Sequence, residues 1–450
     1  MKIRNTLFTV CALLFLPALS IAQQPQQEVS MLQAQDTPPA ASTTGTAPQL
    51  TLADAEKLAL AHNPNVTIAH LLQLAQVQAT REVRAAGLPL ATVDLTAADA
   101  HQNSRITAGG LNNPVVYERA AGGLTLRQLI SDFGRTHNLV RSAQSNEKAQ
   151  MEMERATAAD IVLAVDRVYF QALTAQAVLK VAHQTVATRR TTAEQIRALT
   201  ESKLRSTLDL SLAEVQVSQA QLLLLDAENA AQASMAALNA LLGSDADTRY
   251  ALVEETAETP PPAHTEDLVQ TAFRDRPDLA ASADRELAAR QFASAEHALI
   301  RPTISALATG GGTPVRAGQI QSPWYGAAGA NISIPVFNGF AFSARARAAD
   351  LEAQSASEQV RNLRDNIARD VRISVLDAQQ AYQRIQVARQ LLDQANTVME
   401  LAQARYKVGL SGIVDLTQAQ LAQTEAEIGF TNARYNYQSA LATVRYQTGQ

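Results

Sequence analysis

Cysteine is almost absent from this chain: one residue, Cys11, in 450. It sits in an apolar N-terminal stretch that reads as an export signal, so the exported chain has no thiol. That excludes disulfides, cysteine nucleophiles and thiolate metal sites. Aromatic residues make up only 4%, with a single tryptophan, Trp324. A 450-residue chain could form two or three ordinary domains, but so few aromatics argue against large globular cores. Positive charge in excess is also missing, since 38 Lys and Arg face 43 Asp and Glu for a net charge of −5. No basic patch with interleaved aromatics offers a surface for nucleic acid. The seven histidines form no His-x-x-x-His pair, and Asp245-x-Asp247 falls in a linker, so no metal site or other cofactor is expected. Asp132-Phe133-Gly134 has no accompanying Gly-rich ATP loop, Gly310-Gly311-Gly312 lacks the Lys-Ser/Thr of a phosphate loop, and no catalytic constellation is found, so the chain is not read as an enzyme.

Long apolar runs are scarce too. Lys2 and Arg4, the apolar stretch Leu7 to Leu19 and Ser20-Ile21-Ala22 form a signal peptide over residues 1–22. The stretch contains Pro17 and is too short for a hydrocarbon core of about 30 Å. Phe8-Thr9-Val10 before Cys11 lacks a lipoprotein pattern, so no lipid anchor is expected. Residues 23–49, rich in Gln, Pro, Ala, Ser and Thr, read as a flexible linker, and residues 244–264, with Pro260-Pro261-Pro262, as a second one.

What the chain does have is duplication, with a first repeat over 50–243 and a second over 265–450. Asn63-Pro64 and Pro89 return as Arg276-Pro277 and Pro302 at an offset of 302 − 89 = 213. Gly134 is matched to Gly339 (339 − 134 = 205), and Leu208-Asp209-Leu210 to Val414-Asp415-Leu416 (415 − 209 = 206). The drop of about eight points to a longer loop in the first copy, and a self-similar chain of this kind builds a symmetric object.

Each copy follows one plan: an amphipathic helix stopped by Pro89 or Pro302, two short strands, a glycine, a very long helix, a break and a closing helix. The long helices carry heptads. Ile161, Val168, Ala175 and Ala182 run beside Val165, Ala172, Leu179 and Val186 in the first copy. Val371, Ala378, Ile385, Leu392 and Met399 run beside Val375 and Tyr382 in the second. The helix from Arg135 to about Glu201 would span about 100 Å, and the opening and closing helices about half of that each, so two laid end to end match one long helix.

The four strands are expected near Leu90 to Ala100, Ala120 to Ile130, Thr303 to Gly311 and Tyr325 to Pro335. Their alternation suits a barrel wall between lipid and water or a half-buried soluble sheet. Trp324 and Tyr325, placed just before the fourth strand, suit an interfacial aromatic belt or an ordinary strand end. Counting favours the barrel. Four strands leave open edges, whereas three chains supply 4 × 3 = 12 strands above twelve helical struts.

Leu52-Ala53-Asp54-Ala55 through Asn63-Pro64, Leu124-Thr125-Leu126 to Asp132-Phe133-Gly134, Pro335-Val336-Phe337-Asn338-Gly339 and Tyr406-Lys407-Val408-Gly409-Leu410 to Ile413-Val414-Asp415 occur in order. In this the chain resembles the TolC-like outer-membrane efflux proteins from Leu50 to Gly449. The resemblance implies a mainly α chain contributing four strands to a trimeric twelve-stranded outer-membrane β-barrel, continued by a periplasmic α-helical coiled-coil barrel. It implies a homotrimer set in outer-membrane lipid that passively exports small molecules such as drugs. The partners implied are a periplasmic adaptor and a proton-driven or ATP-driven inner-membrane transporter. A type I protein secretion duct is the alternative within the family, and a periplasmic coiled-coil scaffold the alternative outside it.

The candidate site residues lie at the two helical tips. Val408, Gly409, Leu410, Ser411 and Gly412 break the second coil with two glycines able to take positive φ. The first tip, with Leu204, Arg205 and Ser206, has no glycine. The resemblance makes both tips adaptor-docking turns, and hairpin closure explains the glycines equally. Asp209 and Asp415 stand in the first turns of the helices leaving the tips, where carboxylates favour the helix dipole by about 0.3 to 1 kcal/mol. The resemblance adds a periplasmic gate of Asp415, Asp209, Tyr406 and Gln418. Gln418 stands where a second aspartate is expected, and Ser411 where a gate-locking arginine is expected, which implies a weaker closed state. Gly134 and Gly339 are read as strand-to-helix hinges.

Overall fold

A computed structural model describes residues 48–99, 119–245, 248–254, 259–262, 264–315 and 322–450. The expected signal peptide and nearly all of the expected first linker lie outside these residues. The elements are β1 (Gln49–Leu50), α1 (Leu52–His62), α2 (Pro64–Ala85), β2 (Leu90–Ala98), β3 (Arg119–Ser131), α3 (Arg135–Glu201) and α4 (Thr207–Leu242). The second copy follows with β4 (Ala251–Leu252), α5 (Thr265–Asp275), α6 (Pro277–His297), β5 (Thr303–Val315), β6 (Trp324–Ser333), α7 (Ala341–Lys407) and α8 (Ile413–Thr448).

The duplication is tighter in three dimensions than in sequence. Helices α3 and α7 both have 67 residues, α4 and α8 both have 36, and each second member starts 206 positions after the first (341 − 135 and 413 − 207). Gly134 is therefore the counterpart of Phe340 and not of Gly339: both precede their helices with left-handed backbone, at φ 96° and 66°. With α1 and α5 offset by 265 − 52 = 213, the drop between the halves is seven residues.

The opening helix is not continuous. It breaks at Asn63, before Pro64, whose ring fits the first position of a new helix and whose missing N–H costs nothing there. The Asn63 side chain accepts from Asn65 N at 2.9 Å, capping α2. Helix α2 then ends at Ala85, before Pro89 is reached.

The same break in the second copy, at Arg276, shows why it is there. Asn63 Nδ2 donates to Leu241 O at 3.0 Å, and Arg276 Nη1 donates to Gln447 O at 3.4 Å. Leu241 and Gln447 are counterparts (447 − 241 = 206) near the C-termini of α4 and α8. Each opening helix thus abuts a closing helix end to end, through an amide in one copy and a guanidinium in the other. The closing glycines fit this approach. A Cβ on Gly243 would lie 2.9 Å from His62 O, and one on Gly449 2.9 Å from Asp275 C, while both residues hold positive φ (65° and 78°).

Every heptad residue singled out in the sequence is buried or half-buried. Ile161, Val165, Tyr169 and Phe170 of α3 pack with Leu52, Ala55 and Ala59 of α1 and with Leu238 and Leu242 of α4. Val371, Val375, Ala378 and Ile385 form the matching seam of α7. The fully buried Tyr169 hydroxyl lies 2.8 Å from Leu50 O and 2.9 Å from Val253 O and accepts from Val253 N at 3.2 Å. It ties the short parallel pair β1–β4, formed by Gln49–Leu50 and Ala251–Leu252, to the middle of α3.

The four long strands form one antiparallel sheet in the order β2-β3-β5-β6. The register separates two faces. Thr92, Thr125, Thr309 and Ala327 share a row, and Asp94, Gly123, Gly311 and Tyr325 the next one on the same side. Thr125 Oγ1 lies 3.4 Å from both Asp94 Oδ2 and Thr309 Oγ1, so this face is polar. Val93, Leu95, Leu124, Leu126, Ile332 and Trp324 occupy the other side. Trp324 and Tyr325 are the first residues of β6, not its approach, and point to opposite faces.

No helix of the described residues packs across the sheet. The apolar face is consequently bare, with Val93 and Leu95 each 71% exposed. A half-buried soluble sheet would cover that face with a core, so the alternation belongs to a wall that meets another apolar phase.

Candidate functional site

The tips close by local backbone chemistry. At the first, Lys203 N donates to Thr200 O (2.9 Å) and Leu204 N to Leu199 O (2.9 Å). At the second, Gly409 N donates to Tyr406 O (3.1 Å) and Leu410 N to Arg405 O (2.8 Å). Both are Schellman closures, which need a left-handed residue just past the helix. Gly409 supplies it at φ 79°, and Lys203 holds the same conformation at φ 60° with a side chain. Of the two glycines expected to take positive φ, only Gly409 does. Gly412 is extended (φ −79°, ψ 170°) because it is an N-cap, the place that Ser206 fills in the first tip by accepting from Leu208 N at 2.9 Å.

Leu204, Val408 and Leu410 are exposed at the turns, as are Leu208 and Val414 just beyond them. Asp209 and Asp415 stand in the first turns of α4 and α8, the former half-buried and the latter exposed beside exposed Gln418. The hinge positions fall between sheet and helix. Phe133-Gly134 and Gly339-Phe340 each place two successive residues in the left-handed region, which turns the chain sharply from strand to helix. Arg301 Nη1 donates to Phe133 O at 2.8 Å across the first turn.

A polar contact joins the two copies at the tip, beside their shared apolar packing. Arg205 lies over the Tyr406 ring, 4.4 Å from its centroid, and its Nη2 donates to Tyr406 O at 3.0 Å. Tyr406 is buried with Ile196, Leu416 and Met399, and its hydroxyl has no hydrogen-bond partner. Burial raises its pKa, the Arg205 charge opposes the shift and the Asp209 charge adds to it, so the phenol stays neutral at physiological pH. A cavity of about 130 Å³ lies beside this pair.

Arg205 is the counterpart of Ser411 (411 − 205 = 206). At this position the first copy thus carries an arginine where the second carries a serine, and Arg205 reaches Tyr406 from there. From the sequence Arg205 is only a docking residue, because its partner lies 201 residues away; the internal symmetry is the signal that points to the pairing.

Comparison with known proteins agrees with this architecture. The family model described as "Outer membrane efflux protein" matches residues 56–244 and 268–450. The outer membrane protein TolC of Salmonella enteritidis is 26% identical over 121 residues, 27% of this chain and 25% of that protein, so the match spans about a quarter of the relative's length. Among solved structures, the outer-membrane channel OprN superimposes with a TM-score of 0.77 at 18% identity, over 88% of this chain and 89% of that one. The outer membrane protein VceC of Vibrio cholerae gives 0.76 at 20% identity, over 88% and 96%.

Proposed function

Because the chain belongs to the outer membrane efflux protein family, we propose that three copies close one twelve-stranded barrel in the outer membrane above a helical tunnel that conducts small molecules outward. The bare apolar face of the sheet carries this reading. With a polar reverse side and open edges at β2 and β6, the sheet is complete only when lipid covers one face and further strands pair with its edges. Exposed aromatics frame the band, with Trp324 at one end of the strands and Phe133, Phe337 and Phe340 at the other. The two faces sort the phases: Asp94, Thr125 and Thr309 line the lumen, and Val93, Leu95 and Leu124 face lipid.

In this reading transport energy comes from an inner-membrane transporter. A periplasmic adaptor docks on the exposed apolar tips around Leu204, Val408 and Leu410. Asp415, one per chain, contributes a cation-attracting ring at the aperture, with the Arg205–Tyr406 contact holding the tips together. A strain lacking the chain should accumulate dyes and antibiotics, and the full-length chain should restore their export. Restoration at wild-type level by a chain carrying a charge reversal in the lipid-facing row (Leu95→Glu) would contradict the barrel. In planar bilayers Asp415→Asn should reduce cation preference, and an unchanged reversal potential would remove the ring.

A further inference from the structure

Arg189 is a buried cation that the duct does not account for. It lies on α3, 201 − 189 = 12 residues before the tip, with a relative exposure of 5%. Its Nη1 has no hydrogen-bond partner among the described residues. No carboxylate comes within 4.0 Å of its guanidinium among the described residues. Burial lowers its pKa to about 10, so it remains charged at neutral pH. Removing such a charge from water without a partner costs several kcal/mol, which a stable fold normally offsets with a counter-charge.

Arg189 borders a cavity of about 450 Å³ between α3 and α8. Other donors converge there. Gln184 and Thr188, both exposed, line it from α3 with side chains that make no hydrogen bond among the described residues. Gln420, itself 5% exposed, lines it from α8, with its amide only 3.5 Å from Thr192 Oγ1 as a partner. Thr185 and Thr424 have given their protons to the carbonyls of Val181 and Gln420 and cannot donate. Glu427 is the one acid on the rim.

We propose that this cavity binds a small oxyanion, held by Arg189 with the hydroxyl of Thr188 and the amides of Gln184 and Gln420. Helices α3 and α8 come from different copies of the repeat, so the bound anion bridges the two hairpins above the Arg205–Tyr406 contact. Glu427 on the rim weakens the site for multiply charged ions. This inference concerns the helical domain alone and does not rest on transport.

Titration calorimetry of the purified full-length protein in detergent tests it, with inorganic phosphate and acetate in separate arms at matched ionic strength. Saturable binding of at least one, near one site per chain, is expected. Arg189→Gln should weaken it tenfold or more, Arg189→Lys less, and Glu427→Gln should tighten it. Phosphate preference assigns a tetrahedral ligand and acetate preference a carboxylate. Absence of saturable heat with both anions, or equal affinity in Arg189→Gln, overturns the proposal. If Arg189→Gln fails to fold by circular dichroism, Glu427→Gln decides: weaker or unchanged binding there overturns the site.

Discussion

Replacing Arg205 by alanine should loosen the tips without unfolding the chain. The substitution removes a charge-assisted hydrogen bond to Tyr406 O (3.0 Å) and a guanidinium over the ring at 4.4 Å. The first is worth about 1.5–3 kcal/mol and the second about 0.5–1 kcal/mol at a partly exposed site. Because Arg205 is only half-buried, a net loss of about 1–3 kcal/mol per chain is a fair expectation. At tenfold per about 1.4 kcal/mol, the open-to-closed ratio of one tip should rise roughly 5- to 150-fold. Three tips opening together would multiply this. Single-channel recording of purified trimers in planar bilayers measures it as higher conductance or longer openings. Arg205→Lys should fall between, since an ammonium cannot present the planar fork that both contacts use. Tyr406→Phe is the control: it keeps the ring and the carbonyl and removes a buried hydroxyl that has no partner, so the tip should stay closed. Wild-type conductance in Arg205→Ala, or opening by Tyr406→Phe to the same extent, would refute the role of this contact.

Leu95→Lys, on the apolar face, should destabilise the assembled barrel by about 2–4 kcal/mol, whereas Thr96→Lys, one residue on and facing the lumen, should be tolerated; heat-induced loss of detergent-resistant trimers compares them. Gly123→Val should lower that heat resistance, because a Cβ there overlaps the Tyr325 hydroxyl, and adding Tyr325→Ala should recover part of it, since Gly310 O stays 3.0 Å from that Cβ. Burial pushes Tyr446 up to about 12, helped by the hydrogen bond to Asp160, and burial with the Glu254 charge pushes Tyr435 up to about 12. A phenol with a folded pKa above its unfolded value near 10 adds stability that is complete below about pH 10 and is lost as pH rises toward 12. Thermal midpoints should therefore hold to about pH 10 and then fall, less steeply in Tyr446→Phe.

The long helices were legible because a heptad is a local pattern: Val371, Ala378 and Ile385 repeat within one helix and announce its buried side. The strands were legible for the same reason, and three of the four have both ends within two residues of those expected, while β5 runs on to Val315. The helix break at Asn63 was written locally as well, in an asparagine cap before Pro64, although the sequence reads as one helix on to Pro89. The Phe133-Gly134 and Gly339-Phe340 turns were harder. Left-handed backbone falls on a phenylalanine in each, and the visible glycines are not counterparts.

By itself the sequence determined the repeat, the lengths of the struts, the alternation of the strands and the turns that end each helix, since all of these follow from neighbours within a few residues. Only the tertiary structure decided that no helix of the described residues covers the apolar face of the sheet, that Arg205 meets Tyr406 across 201 positions, and that Arg189 is buried with no carboxylate beside it among the described residues. Burial and pairing depend on which distant segments occupy the same space, and no periodicity within one helix or strand carries that information.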